Sequence, residues 1–134
     1  MSEILDIAII NGLMYADIKF QSAKERKFYN ASMLLDTGAS VTTVSSSILN
    51  RLGYTTENKA KTVRTANGSI SVCEIVMPEI ILGSIRLVDV DVHAHTFPFE
   101  CYFDGILGMN VLSLYNLNID FDNRILELRD RRDY

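Results

Sequence analysis

Close-set turn signals leave this chain almost no room for anything but short strands. Asn11-Gly12 and Asn67-Gly68 each sit between apolar or alternating runs. That dipeptide is a strong hairpin signal, because both residues tolerate positive φ. Ile4–Ile10 and Leu13–Phe20 read as the first hairpin, and Thr62–Ala66 against Ser69–Met77 as the second. Gly83-Ser84 divides "EIILGSIRLVDVDVHAHTF" into two more strands, and Asp122-Asn123 turns "NLNIDF" back into "RILELRD". Phe28–Leu35 is a further strand, reached through the solvated "QSAKERK". Helix is confined to "SSSILNRLGY", with Ser45 or Ser46 as N-cap and Gly53 as C-cap, and to a helical turn within "FDGILGMNVLSLY". The pattern predicts an all-β, closed barrel-like lobe with one or two short helices. With 134 residues and no linker, the expectation is a single domain over 1–134.

The totals exclude several functions. A formal net charge of -4 and a pI of about 5.1 carry no electrostatic footprint for nucleic acid. The opening "MSEILDIAIINGLMY" has no basic n-region, and Asn11-Gly12 breaks its apolar stretch. Neither a signal peptide nor a membrane span is expected, so the expected setting is the cytoplasm, as a free protein or a soluble domain excised from a longer one. Cys73 and Cys101 are too few for a disulfide scaffold and lack metal-type spacing. They read as reduced thiols, Cys73 small and half-buried. His93 and His95 alternate on one strand and so share a face. No further ligands are signalled for a metal, and the two are expected to be exposed. Asp89, Asp91 and Asp120 alternate with apolar residues and read as solvent-facing. No metal or other cofactor is expected.

One residue resists this plain reading. "MLLDTGASVTTVS" (33–45) drives an apolar run straight into Asp36. A carboxylate at the end of a core strand is costly unless it is hydrogen-bonded, paired or used. Asp-x-Gly is common turn chemistry, so a cap or turn is the simple reading. A tight turn at a strand end can also hold a carboxylate for chemistry. Two such carboxylates facing each other would share a proton, one acting as base on a water and the other as acid on a carbonyl oxygen. A faint internal repeat accompanies the motif. "NGLMYADIKF" leads on to "MLLDTGASVTTVSSSIL", and "LGSIRLVDVDV" leads on to "FDGILGMNVLSLY". The second turn, at Leu107-Gly108, carries no acid at the matching position, and Asp104 lies three residues upstream of Leu107.

Taken together, "LLDTGAS", the "TANGS" hairpin tip and "GILGMNVLSLYNLNIDF" resemble the retropepsin-like aspartic proteases, single-lobe relatives of the viral enzymes. The resemblance spans roughly residues 4 to 128. It implies that Asp36 is catalytic and that the Thr37 hydroxyl crosses to a partner turn. Gly38 and Ala39 would back substrate and water. Ala66, Asn67 and Gly68 would form the tip of a flap over a bound peptide, and Ile106, Leu107 and Gly108 a supporting loop beside the Asp36 turn. Met109 stands where viral relatives usually carry arginine, so that arginine's salt bridge at the dimer base is missing. Ala39 has no hydroxyl to donate to the carboxylate, and a working range of about pH 5–7 is expected.

The resemblance therefore implies an endopeptidase acting on extended peptides or unfolded protein, built as a homodimer because the chain holds one Asp-Thr-Gly. The second reading is a catalytically idle dimerisation or peptide-binding module of the same fold. Ile4–Ile10 and Ile125–Leu128 are expected to be terminal strands with free edges that pair between chains.

Overall fold

The computed structural model describes residues 2–57, 61–98 and 103–131. Its strands are β1 (Ser2–Asp6), β2 (Ala8–Ile10), β3 (Leu13–Gln21), β4 (Phe28–Leu35), β5 (Thr42–Ser45), β6 (Lys61–Thr65), β7 (Gly68–Leu82), β8 (Ile85–His95), β9 (Gly105–Leu107), β10 (Tyr115–Asp120) and β11 (Ile125–Asp130). Two short helices, α1 (Ser46–Arg51) and α2 (Met109–Leu112), follow β5 and β9. Eight strands form one sheet in the order β2-β3-β4-β9-β5-β8-β7-β6, and Lys19↔Ile81 and Phe20↔Ile80 close it by pairing β3 with β7. A separate sheet has the order β1-β11-β10. The all-β barrel lobe with two short helices matches the expectation.

Alternation decides which face is buried. Ala16, Ile18 and Phe20 of β3 point inward while Asp17 and Lys19 point out. Ala31 and Met33 of β4 meet them, with Met77, Ile80 and Leu82 of β7. The halves of the sequence repeat lie side by side. β4 and β9 run parallel, with Met33↔Gly105, Leu34↔Ile106 and Leu35↔Leu107 in register. A Cβ added to Gly105 would lie 2.3 Å from the Thr43 carbonyl oxygen, so the β9–β5 approach depends on a bare α-carbon.

Several boundaries differ from the sequence reading. Ile4–Ile10 is two strands, because the Ile7 N–H leaves for the Arg124 carbonyl at 3.0 Å and the chain changes sheets there. The hairpin turn after β6 is Ala66-Asn67; Gly68 already pairs with Thr65 and takes φ +116. β7 then runs unbroken to Leu82 through Pro78. Met77↔Val90 and Glu79↔Val88 stay in phase around the proline, and Asp89 on β8 takes φ 53. A missing N–H is tolerated where the ladder skips a pair. In α1, Leu52 is the C-cap, and Gly53 follows it at φ +95. The N–H groups of Gly53 and Tyr54 return to the carbonyls of Asn50 and Leu49, a Schellman closure. Cys73 is buried rather than half-buried, its thiol donating to the Thr55 carbonyl; Cys101 lies outside the described residues. Asp89 and Asp91 are exposed, whereas Asp120 is half-buried and accepts hydrogen bonds from the Asn123 N–H and side-chain amide.

The C-terminal strand is the main correction. β11 is central in its sheet, bonded to β1 on one side and β10 on the other within the same chain, so its edges are not free. β1 and β2, from Ile4–Ile10, are edge strands of their sheets and each keeps one unpaired edge among the described residues. Hydrophobic alternation marks a strand but does not say which partner takes its edge.

Gly105→Ala should destabilise the fold by about 1–3 kcal/mol through overpacking against Thr43 and Met33. Gly12→Ala, where a Cβ meets nothing within 4 Å but φ is +79, should cost about 1–2 kcal/mol from backbone strain alone. Urea titrations of the two variants measure both.

Candidate active site

The pairing of β4 with β9 delivers Asp36 to a defined place. Its N–H donates to the carbonyl of Leu107, the last residue of β9, at 3.2 Å, carrying the parallel ladder one residue past the end of β4. The Gly38 N–H then donates to Asp36 Oδ1 at 2.8 Å, and the Ala39 N–H to the Asp36 carbonyl at 3.2 Å. A Cβ on Gly38 would stand 3.1 Å from that same Oδ1, so glycine gives the carboxylate its close approach to the turn.

Behind the turn lies a knot of hydrogen bonds. The Thr42 N–H and hydroxyl both donate to Asn110 Oδ1, at 2.8 and 2.9 Å. The Thr42 hydroxyl accepts from the Gly108 N–H at 3.1 Å, and Asn110 Nδ2 donates to the Asp91 carbonyl at 2.8 Å. The N–H groups of Met109 and Asn110 close on the Ala39 and Ser40 carbonyls at 2.7 and 3.1 Å. Thr42 is fully buried, so its own three bonds are ones that water cannot replace. Gly108 has no room for a side chain: a Cβ would come within 2.7 Å of the Val41 backbone.

A cleft of about 440 Å³ opens above the turn, between it and the β6–β7 hairpin. Of the residues named from sequence, Asp36, Gly38, Ala39, Ala66 and Ile106 line it. Thr37 is exposed on the same turn, and Asn67 and Gly68 are exposed at the hairpin tip. Leu107 and Gly108 are buried beneath as support. Asp104 is elsewhere occupied: its Oδ2 accepts from the Ser32 N–H at 2.9 Å, beside the N-terminal end of α1. Asp36 is the one carboxylate among the described residues that line the cleft. Among the described residues no cluster of three or more His, Cys, Asp or Glu could hold a metal ion.

Sequence reasoning missed Thr42, Thr43, Arg64 and Asn110. No spacing signal marks Asn110, whose partners lie 19 and 68 residues away. The histidines were misplaced. They share a face as expected, but that face is the cleft floor, not bulk solvent. His93 is only 4% exposed, and His95 is half-buried against Phe97. His93 Nε2 lies 3.1 Å from Glu74 Oε2, and Lys61 Nζ lies 3.6 Å from the same oxygen. The His93 hydrogen bond, then the Lys61 charge, hold the Glu74 carboxyl below its ordinary value of 4.5, outweighing a desolvation effect that raises it.

Two tests follow from this geometry. Thr42→Val keeps the shape of the side chain but strands the Gly108 N–H and leaves Asn110 Oδ1 only the backbone N–H of residue 42; it should cost about 1–3 kcal/mol by chemical denaturation. Glu74 has a depressed folded-state pKa, so its contribution is present above pH 4.5 and is lost as pH falls through the folded value. Glu74→Gln should therefore flatten the stability curve of wild type below pH 4.5, read as Tm against pH.

Comparison with known proteins bears on the family and the fold. Residues 25–111, well over half of the chain, match the family model described as aspartyl protease. No curated protein sequence matches the chain. A crystal structure of a retropepsin-like aspartic protease from Rickettsia conorii superposes with a TM-score of 0.66 at 19% identity, covering 96% of this chain and 90% of that one. The retroviral protease-like domain of Ddi1 from Leishmania major superposes with a TM-score of 0.56 at 16% identity, covering 91% of this chain and 98% of that one. No helix among the described residues is long and apolar enough to cross a membrane. With the β4–Asp36 turn, the β9 loop and the overhanging hairpin in one lobe, this chain belongs to the aspartyl protease family and has the retropepsin-like fold.

Proposed function

We propose that residues 1–134 form one domain of a homodimeric aspartic endopeptidase, with Asp36 from each of two copies facing across a twofold axis. The observation that carries this reading is a strand-end carboxylate in a cleft that holds no second acid among its described lining. The chemistry needs two carboxylates sharing a proton, and a second copy of the chain supplies the missing one. Asp104 is a poor substitute, being bound to the Ser32 backbone. The exposure of Thr37 supports the same reading, because a hydroxyl that braces a second copy's turn must be open in a lone chain.

In the dyad, the ionised carboxylate takes a proton from water as the water attacks the scissile carbonyl carbon. The protonated partner donates to the carbonyl oxygen. Collapse of the tetrahedral species returns a proton to the departing amine nitrogen. Gly38 and Ala39 back the site, and the Ala66–Gly68 tip acts as the flap that closes over an extended peptide and excludes water.

Asp36→Asn should abolish cleavage of a denatured protein at pH 4 to 7, a loss of at least about 10²-fold. Thermal unfolding should barely move, since an amide oxygen can still accept the Gly38 N–H. Specific activity should also fall on dilution as dimers part, followed by sedimentation at matched concentrations. Equal activity in the variant, or full activity in a demonstrably monomeric sample, would overturn the proposal.

A further inference from the structure

The floor of the cleft is a lateral row across four strands. Ile106 pairs with Thr43, Thr43 with His93, and His93 with Glu74. Residues paired across strands project to one face, and Ile106, Thr43 and His93 all line the cleft. His93 is a polar side chain more than nine-tenths buried. Its Nε2 faces Glu74 at 3.1 Å. The ionised Glu74 carboxylate can only accept, so Nε2 carries the hydrogen. In the neutral ring Nδ1 is then a bare acceptor, and it has no hydrogen-bond partner among the described residues. The Thr43 hydroxyl makes only a long 3.4 Å contact to the Val41 carbonyl, so its lone pairs also remain available. Val63, Val72 and Ile106 supply apolar walls.

We propose that Thr43 and His93 form a side-chain subsite that selects a substrate residue ending in an uncharged hydrogen-bond donor, a carboxamide above all. A glutamine or asparagine amide would donate to Nδ1 and to the Thr43 hydroxyl. An aliphatic side chain would leave a buried acceptor unpaired, the kind of loss on which sites built to hydrogen-bond their substrate discriminate. The inference rests on the peptidase reading of the same cleft. The charged and titratable groups around His93 are Glu74 on β7, Lys61 and Arg64 on β6, His95 on β8 and Asp36 on the turn.

The test begins with cleavage-site profiling of a denatured protein, followed by matched peptides carrying Gln, Glu or Leu at the enriched position. Wild type should show a kcat/KM ratio for Gln over Leu of at least about tenfold, with Gln favoured over Glu as well, since a carboxylate has no hydrogen to donate. His93→Leu should invert the Gln-to-Leu ratio, although His95 and Arg64 remain. Binding of the same peptides to Asp36→Asn protein, by fluorescence anisotropy, separates this proposal from the peptidase reading. If wild type cleaves nothing but the variant still prefers the Gln peptide, the subsite stands and the peptidase reading falls. If wild type cleaves without discriminating Gln from Leu, or His93→Leu leaves the ratio unchanged, the subsite is overturned.

Discussion

Asp36 lies where β4 can go no further. The strand beside it, β9, is three residues long and is followed at once by Gly108, whose α-carbon is pressed against Val41. The ladder therefore stops at Leu35↔Leu107, and one last bond, from the Asp36 N–H to the Leu107 carbonyl, turns the chain out of the sheet. Everything at the site is referred to that stop. Gly38 folds back on the carboxylate, β5 returns antiparallel to β9, and Thr42 locks the return to Asn110. A parallel pair of short strands would be weak alone, since parallel pairing is slightly less stable per residue. Burial of Met33, Val44 and Leu107 on one side and the Thr42–Asn110 knot on the other make it firm.

Legibility followed the range of the interaction. The Asn11-Gly12 turn could be read because both residues hold the positive φ that the dipeptide announces. The Asp36 turn could be read because two of its bonds, from the Gly38 and Ala39 N–H groups back to Asp36, close within three residues. The tip after β6 was misread by one residue, since Ala66-Asn67 turns with ordinary φ and only Gly68 needs its freedom. Burial of His93 was invisible for a different reason. Period-two alternation tells which residues share a face, not whether that face looks onto water or into a cleft roofed by another hairpin. Asn110, joined to Thr42 and Asp91 across long separations, leaves no local trace at all.

The fifteen-residue β7 does two jobs with one piece of backbone. Its first residues form the hairpin that overhangs the cleft, and its last close the barrel onto β3. Between them, Glu74 joins Lys61 on the hairpin to His93 on the floor. The hairpin is thus not a loose appendage. It continues the barrel wall, and its base is tied to the residues it covers.

The three-stranded sheet has a consequence for the order of events in folding. Its middle strand, β11, is the last of the described strands to be synthesised, yet it provides the only pairings that β1 and β10 make among the described residues. A ribosome adding about 5–20 residues per second finishes β1 roughly 6–25 s before β11 appears. Through that interval β1 offers an unpaired edge carrying Ile4, which is 55% exposed even in the finished fold. The register Ser2↔Arg129 joins segments far apart in sequence, a high-contact-order closure that comes late and slowly. A nascent chain halted before Ile125 would hold its barrel strands without this seal, and two orphaned edges would be left for a chaperone to cover or another chain to capture.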